Sequence, residues 1–134
     1  MKAFFDTNVL IYAQENSPKG NRARELLESG GVLSVQVLNE FASVSARKQG
    51  RSWADIDGAI SDILDVVTAP LTVTLAVHNA ARGLAAGKGF SFDDALIVAA
   101  ALGAGCDTLD TEDMQHDRTV NGLAIVNPFL DIAR

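Results

Sequence analysis

Short apolar runs separated by stretches of helical period predict an α/β fold: a three-layer α/β/α domain around a mostly parallel central sheet of four to five strands. Three observations carry that reading. The apolar runs lie near residues 3–5, 32–35, 71–73, 107–109 and 123–126, with helical patterns between most of them. Strands spaced this way need crossover connections, and right-handed crossovers bring their carboxyl ends to a common edge. At 134 residues the chain is read as one domain over residues 1–134, long enough to bury a core without disulfide or metal staples.

Lys2-Ala3-Phe4-Phe5 is the first strand, which places Asp6 at its carboxyl end. That end is where ligands bind in open α/β sheets. Thr7–Ala13 follows as a short helix capped by Asp6 or Thr7. Ser17-Pro18 opens a second helix, with Ala23, Leu26 and Leu27 as its apolar stripe and Gly30-Gly31 as its stop. Val32-Leu33-Ser34-Val35 is expected as the second strand. A helix then runs to Arg47 with Val37, Leu38, Phe41, Ala42, Val44 and Ser45 inward, and Glu40 shares their side.

Ser52 and Asp55 cap the next helix, whose stripe is Ile56, Ala59, Ile60, Ile63, Leu64 and Val67, with Trp53 expected as a packing anchor. Leu71-Thr72-Val73 is expected as the third strand, residues 75–86 as an alanine-rich helix, and Gly87-Lys88-Gly89 as a loop. Ser91 caps a helix over residues 92–104 that is apolar on nearly every side and therefore buried, with Asp93 and Asp94 in its first turn. Asp107-Thr108-Leu109 is the fourth strand, residues 110–118 a polar loop, and Leu123–Val126 the last strand.

Composition removes several classes of function. The 48% of hydrophobic residues fall in short runs, so no stretch spans a membrane. No leader segment is evident, and a cytoplasmic protein is expected. The single cysteine, Cys106, leaves no internal disulfide and no cysteine-rich zinc site. A net charge of −6 does not describe a protein holding nucleic acid mainly by a basic surface. It does fit a carboxylate pocket that needs cations.

Four acids fall at the right kind of place: Asp6 after the first strand, Glu40 in the helix after the second, Asp94 at the start of the buried helix, and Asp113 after the fourth strand. Each has a local explanation, such as a cap for Asp6 or a capping box with Ser91 for Asp94. Convergence is costlier, because two carboxylates at ~4 Å repel by about 4 kcal/mol at an effective dielectric near 20. Protons or a divalent cation must relieve that. An oxygen-only donor set suits Mg²⁺ or Mn²⁺ rather than zinc.

Phe5-Asp6-Thr7-Asn8-Val9-Leu10 resembles the opening motif of the PIN-domain ribonucleases. Asn39-Glu40-Phe41, Phe92-Asp93-Asp94-Ala95-Leu96-Ile97 and Thr111-Glu112-Asp113-Met114-Gln115-His116 are similar to the next three motifs of that family, in order. Small single-domain members are typically VapC-type toxins. The resemblance implies that Asp6, Glu40, Asp94 and Asp113 form an acidic quartet for Mg²⁺ or Mn²⁺, with Asp6 and Asp94 as direct ligands. It implies that Asn8 and Thr111 hydrogen-bond behind the acids, and that Glu40 and Asp113 ligate through water or orient the attacking water. It further implies an RNA substrate, a homodimer and a VapB-type antitoxin. Asp117 stands where similar sequences often carry glycine.

Four other readings compete. A dehalogenase-like phosphatase needs a second aspartate where this chain has Asn8, and a signalling receiver needs a lysine after the last strand, whereas none follows Lys88. A processing nuclease without an antitoxin, or a PIN-like binding module without catalysis, keeps the same motifs and stays open.

Overall fold

The computed structural model describes residues 2–132. Ten elements follow one another: β1 (Ala3–Phe5), α1 (Thr7–Ala13), α2 (Pro18–Glu28), α3 (Val35–Arg47), α4 (Trp53–Val66), α5 (Leu75–Lys88), α6 (Phe92–Gly103), β2 (Thr108–Asp110), β3 (Thr119–Val120) and β4 (Leu123–Val126). The sheet has the order β1-β2-β4-β3, parallel except for β3. Helices flank it in the expected three-layer arrangement, with α1 against α2 and α3, α3 against α4, and α5 against α6. The core is continuous, built on Phe4, Leu109 and Ile125 of the sheet and on the apolar run Ala95–Ala101 of α6.

Local sequence accounts for most helix boundaries. Ser17, Ser34, Ser52, Thr74 and Ser91 each accept a hydrogen bond from a backbone N–H in the first turn of the helix they precede. Pro18 begins α2, and Gly89 closes α5 in the left-handed conformation at φ 77°. The helix α5 therefore runs through Gly87 and Lys88, which the sequence reading placed in a loop.

Four expectations are corrected. The segments 32–35 and 71–73 are not strands. Val32 makes a single bridge to Phe4 of β1, and Ser34 a single bridge to Leu71, so the second segment meets the first rather than the sheet. Ser34 is already the cap of α3 and Val35 its first residue, so only a residue or two remains extended. Thr74 truncates the other segment in the same way. Trp53 is 62% exposed rather than an anchor, because it stands before the turn that Ile56 begins to bury. Asp110 belongs to β2 and is buried, not part of a polar loop.

The hairpin β3–β4 was not anticipated, although Asn121-Gly122 is its signal. Both residues have positive φ, 50° and 88°, as a two-residue turn between right-twisted strands requires. No helix among the described residues is long and apolar enough to cross a membrane.

Candidate active site

Asp6 is where strand becomes helix. It caps α1, with Oδ1 accepting from Thr7 N at 2.7 Å, and its own backbone N–H donates to the Asp110 carbonyl at 3.1 Å. The parallel pairing of β1 with β2 thus sets the carboxylate beside the segment that leaves β2. Asp6 is 4% exposed.

The hydroxyl of Thr111, the first residue after β2, is saturated. It accepts from Asn8 Nδ2 at 3.2 Å and from Asp113 N at 3.1 Å, so its own proton points to Asp6 Oδ2 at 2.8 Å. Asn8 also donates to Asp113 Oδ2 at 3.2 Å and accepts from Glu112 N at 3.1 Å. Asn8 and Thr111 therefore tie Asp6 and Asp113 into one network.

Glu40 reaches the same place from α3. Thr7 Oγ1 donates to Glu40 Oε2 at 2.7 Å, and Gln36 Nε2 donates to Oε1 at 3.2 Å. Asp94 stands in the first turn of α6, its backbone N–H bonded to Ser91 Oγ at 3.2 Å. The sequence reading did not find Thr7 or Gln36 as partners of Glu40. The i,i+4 spacing of Gln36 and Glu40 was the available signal.

The acids feel one another. Burial pushes the Asp6 carboxyl up to about 6, offset in part by the bonds from Thr111 and Thr7, and the charges of Glu40 and Asp113 push it further. Asp94 is also raised, first by burial, with Asp113 and Asp93 adding to it and Ser91 opposing. The electrostatics thus link Asp6 to Glu40 and Asp113, and Asp94 to Asp113. The donors are all carboxylate oxygens, a type that suits Mg²⁺ or Mn²⁺. Among the described residues no three carboxylates, imidazoles or thiols are gathered closely enough to cage a cation.

The neighbouring acids divide by environment. Glu112 turns to Lys19 Nζ at 2.7 Å and accepts from Tyr12 Oη at 2.5 Å, while Lys19 also lies over the Tyr12 and Phe129 rings. Asp110 has no side-chain hydrogen bond among the described residues and is raised to about 6 by burial alone. It borders a cavity with Phe5 and Leu26, outside the acidic group. A second cavity, of about 300 Å³, opens beside the acids between α1 and α3 and is lined in part by Asn8, Tyr12, Glu40, Val44, Lys48 and Asp113.

Comparison with known proteins gives a consistent picture. The sequence profile of the PIN domain matches residues 3–121. No curated protein sequence matches the chain significantly. Among solved structures, the chain is similar to VapC20 of Mycobacterium tuberculosis, described as a sarcin–ricin loop cleaving toxin. That likeness has 21% identity and a TM-score of 0.68, over 84% of this chain and 92% of that one. A chain of a toxin–antitoxin complex from Klebsiella pneumoniae is similar at 20% identity and TM-score 0.69, over 95% and 98%. A chain of DNA-bound VapBC from Salmonella typhimurium is similar at 21% identity and TM-score 0.68, over 93% and 96%.

Proposed function

The chain belongs to the PIN domain family, and from that premise we propose that it is a metal-dependent endoribonuclease, the toxin of a toxin–antitoxin pair. Residues 1–134 act as a single domain in this reading. The observation that carries it is the saturated Thr111 hydroxyl, which with Asn8 holds Asp6 and Asp113 together at the carboxyl edge of the sheet. A structural cap for α1 does not need a second carboxylate wired to it.

Asp6 and Asp94 are the direct ligands of Mg²⁺ or Mn²⁺ in this proposal, and Glu40 and Asp113 act through water. Mg²⁺ commonly keeps several waters and takes one or two carboxylates, so a donor set without a three-residue cage fits it. When bound, the cation supplies a Lewis acid for water and offsets charge on the phosphodiester. The protein's own part is positioning. Thr111 and the Thr7 N–H fix both oxygens of Asp6, while Thr7 Oγ1 and Gln36 fix both oxygens of Glu40. Glu40 or Asp113 then orients the attacking water and takes its proton.

The structural likeness to chains of toxin–antitoxin complexes supports a VapB-type antitoxin as partner, and in this reading the working form is a cytoplasmic homodimer. RNA is the substrate, and a sarcin–ricin loop hairpin is a sensible first one, given the described target of the Mycobacterium tuberculosis neighbour. The test is cleavage of structured RNA with Mg²⁺ or Mn²⁺, with EDTA, and by Asp6→Asn. Cleavage that requires the metal and disappears with the substitution is expected. Activity surviving both would overturn the mechanism.

A further inference from the structure

We propose that Lys48 anchors a backbone phosphate of the RNA, making the cavity between α1 and α3 a subsite for nucleotides flanking the cut. The proposal rests on the endoribonuclease reading and adds the path of the strand. Its first support is spacing. Glu40, Val44 and Lys48 recur at every fourth residue and all line that cavity of about 300 Å³, so they form one stripe. Eight residues of helix carry Lys48 ~12 Å along the axis from Glu40, a few nucleotides of single strand.

The second support is the state of the two lysines nearby. Lys19 is committed, with Nζ 2.7 Å from Glu112 and stacked over two rings. The Lys48 ammonium makes no hydrogen bond or ion pair among the described residues, although Glu40, Glu112 and Asp113 line the same cavity. The third is charge. A backbone phosphate entering this cavity would face Glu40, Glu112 and Asp113, and among the lining residues Lys48 is the basic one. Such a phosphate needs its own counter-charge on a protein of net charge −6. Ile11, Val44 and the Tyr12 ring supply an apolar wall for ribose or base.

The test is steady-state cleavage of a fluorescent RNA by the full chain and its Lys48 variants, over a series of salt concentrations. Lys48→Ala should raise KM about fivefold at ~0.1 M salt and lower the slope of log(kcat/KM) against log salt by about 0.7, the value of one single-strand phosphate contact. The loss should lie in KM rather than kcat, Lys48→Glu should be worse, and Lys48→Arg should recover the parent. Parent-like KM and salt slope in Lys48→Ala and Lys48→Glu would overturn the subsite while the nuclease reading stands. A fall in kcat with an unchanged salt slope would overturn it too, as would weakened antitoxin capture with RNA kinetics untouched. A parent chain that cleaves no RNA would remove both.

Discussion

Thr111 has one hydroxyl and three partners, and each partner belongs to the acidic group or orders it. Replacing it with valine keeps the shape and deletes the proton given to Asp6. By the usual cost of losing an outer hydrogen-bond partner, Thr111→Val should weaken Mn²⁺ binding about 10–100-fold, and Thr111→Ser should retain it. Isothermal titration of Mn²⁺ checks both. Asp110 gives a different prediction. Its folded pKa of about 6 lies above the ordinary 3.8, so the folded chain holds the extra proton between those values. Stability from this group is full below about 4 and lost as pH rises through about 6, at most about 3 kcal/mol. Asp110→Asn should therefore stabilise the protein at pH 7–8 and lose that advantage near pH 4 in urea denaturation across pH. A variant no more stable than the parent at pH 7 would show that Asp110 finds a partner in solution. Asp117, in the place where similar sequences often have glycine, has φ 66°. That departure was legible in sequence, and its meaning is a left-handed backbone position.

The elements were legible wherever a local signal sets a boundary. Caps at Ser17, Ser52 and Ser91 needed only neighbouring residues, and the helices they open were read almost to the residue. The segments near 32–35 and 71–73 misled because apolar content announces burial, and an adjoining cap left almost nothing to remain extended. Packing between elements was not legible. Gly20 shows why: a Cβ there would stand 2.0 Å from the Glu15 carbonyl oxygen and 2.8 Å from that of Tyr12, where α2 presses on the end of α1. Gly20→Ala should cost about 2–4 kcal/mol, beyond ordinary overpacking because the obstacle is backbone. Chemical denaturation measures it, and a loss under ~1 kcal/mol would mean the α1–α2 connection yields.

At the scale of the molecule, the acidic group is a store of repulsion that a cation should release. Mn²⁺ at 100 times its Kd should stabilise the fold by about 2.7 kcal/mol, seen as a rise in Tm that Asp6→Asn diminishes. Because Asp6 titrates near 6, proton and metal compete for it, and Mn²⁺ affinity should fall as pH drops below about 6. Titrations at pH 5, 6 and 7 test the sign, and affinity independent of pH would mean that Asp6 is not a ligand.

The sequence by itself determined the α/β class, most helix boundaries, the four acid motifs in order, and Asn8 and Thr111 beside two of them. Those features are short in range or carried by the family resemblance. Only the tertiary structure decided who holds whom. Thr7 meets Glu40 across 33 residues, Tyr12 meets Glu112 across 100, and Asn8 meets Asp113 across 105. It also separated Glu112, neutralised by Lys19, from Asp113, turned to Asn8. Adjacent residues in a loop carry the same charge in sequence, and the chain segments packed against them decide which of the two is spent on a salt bridge.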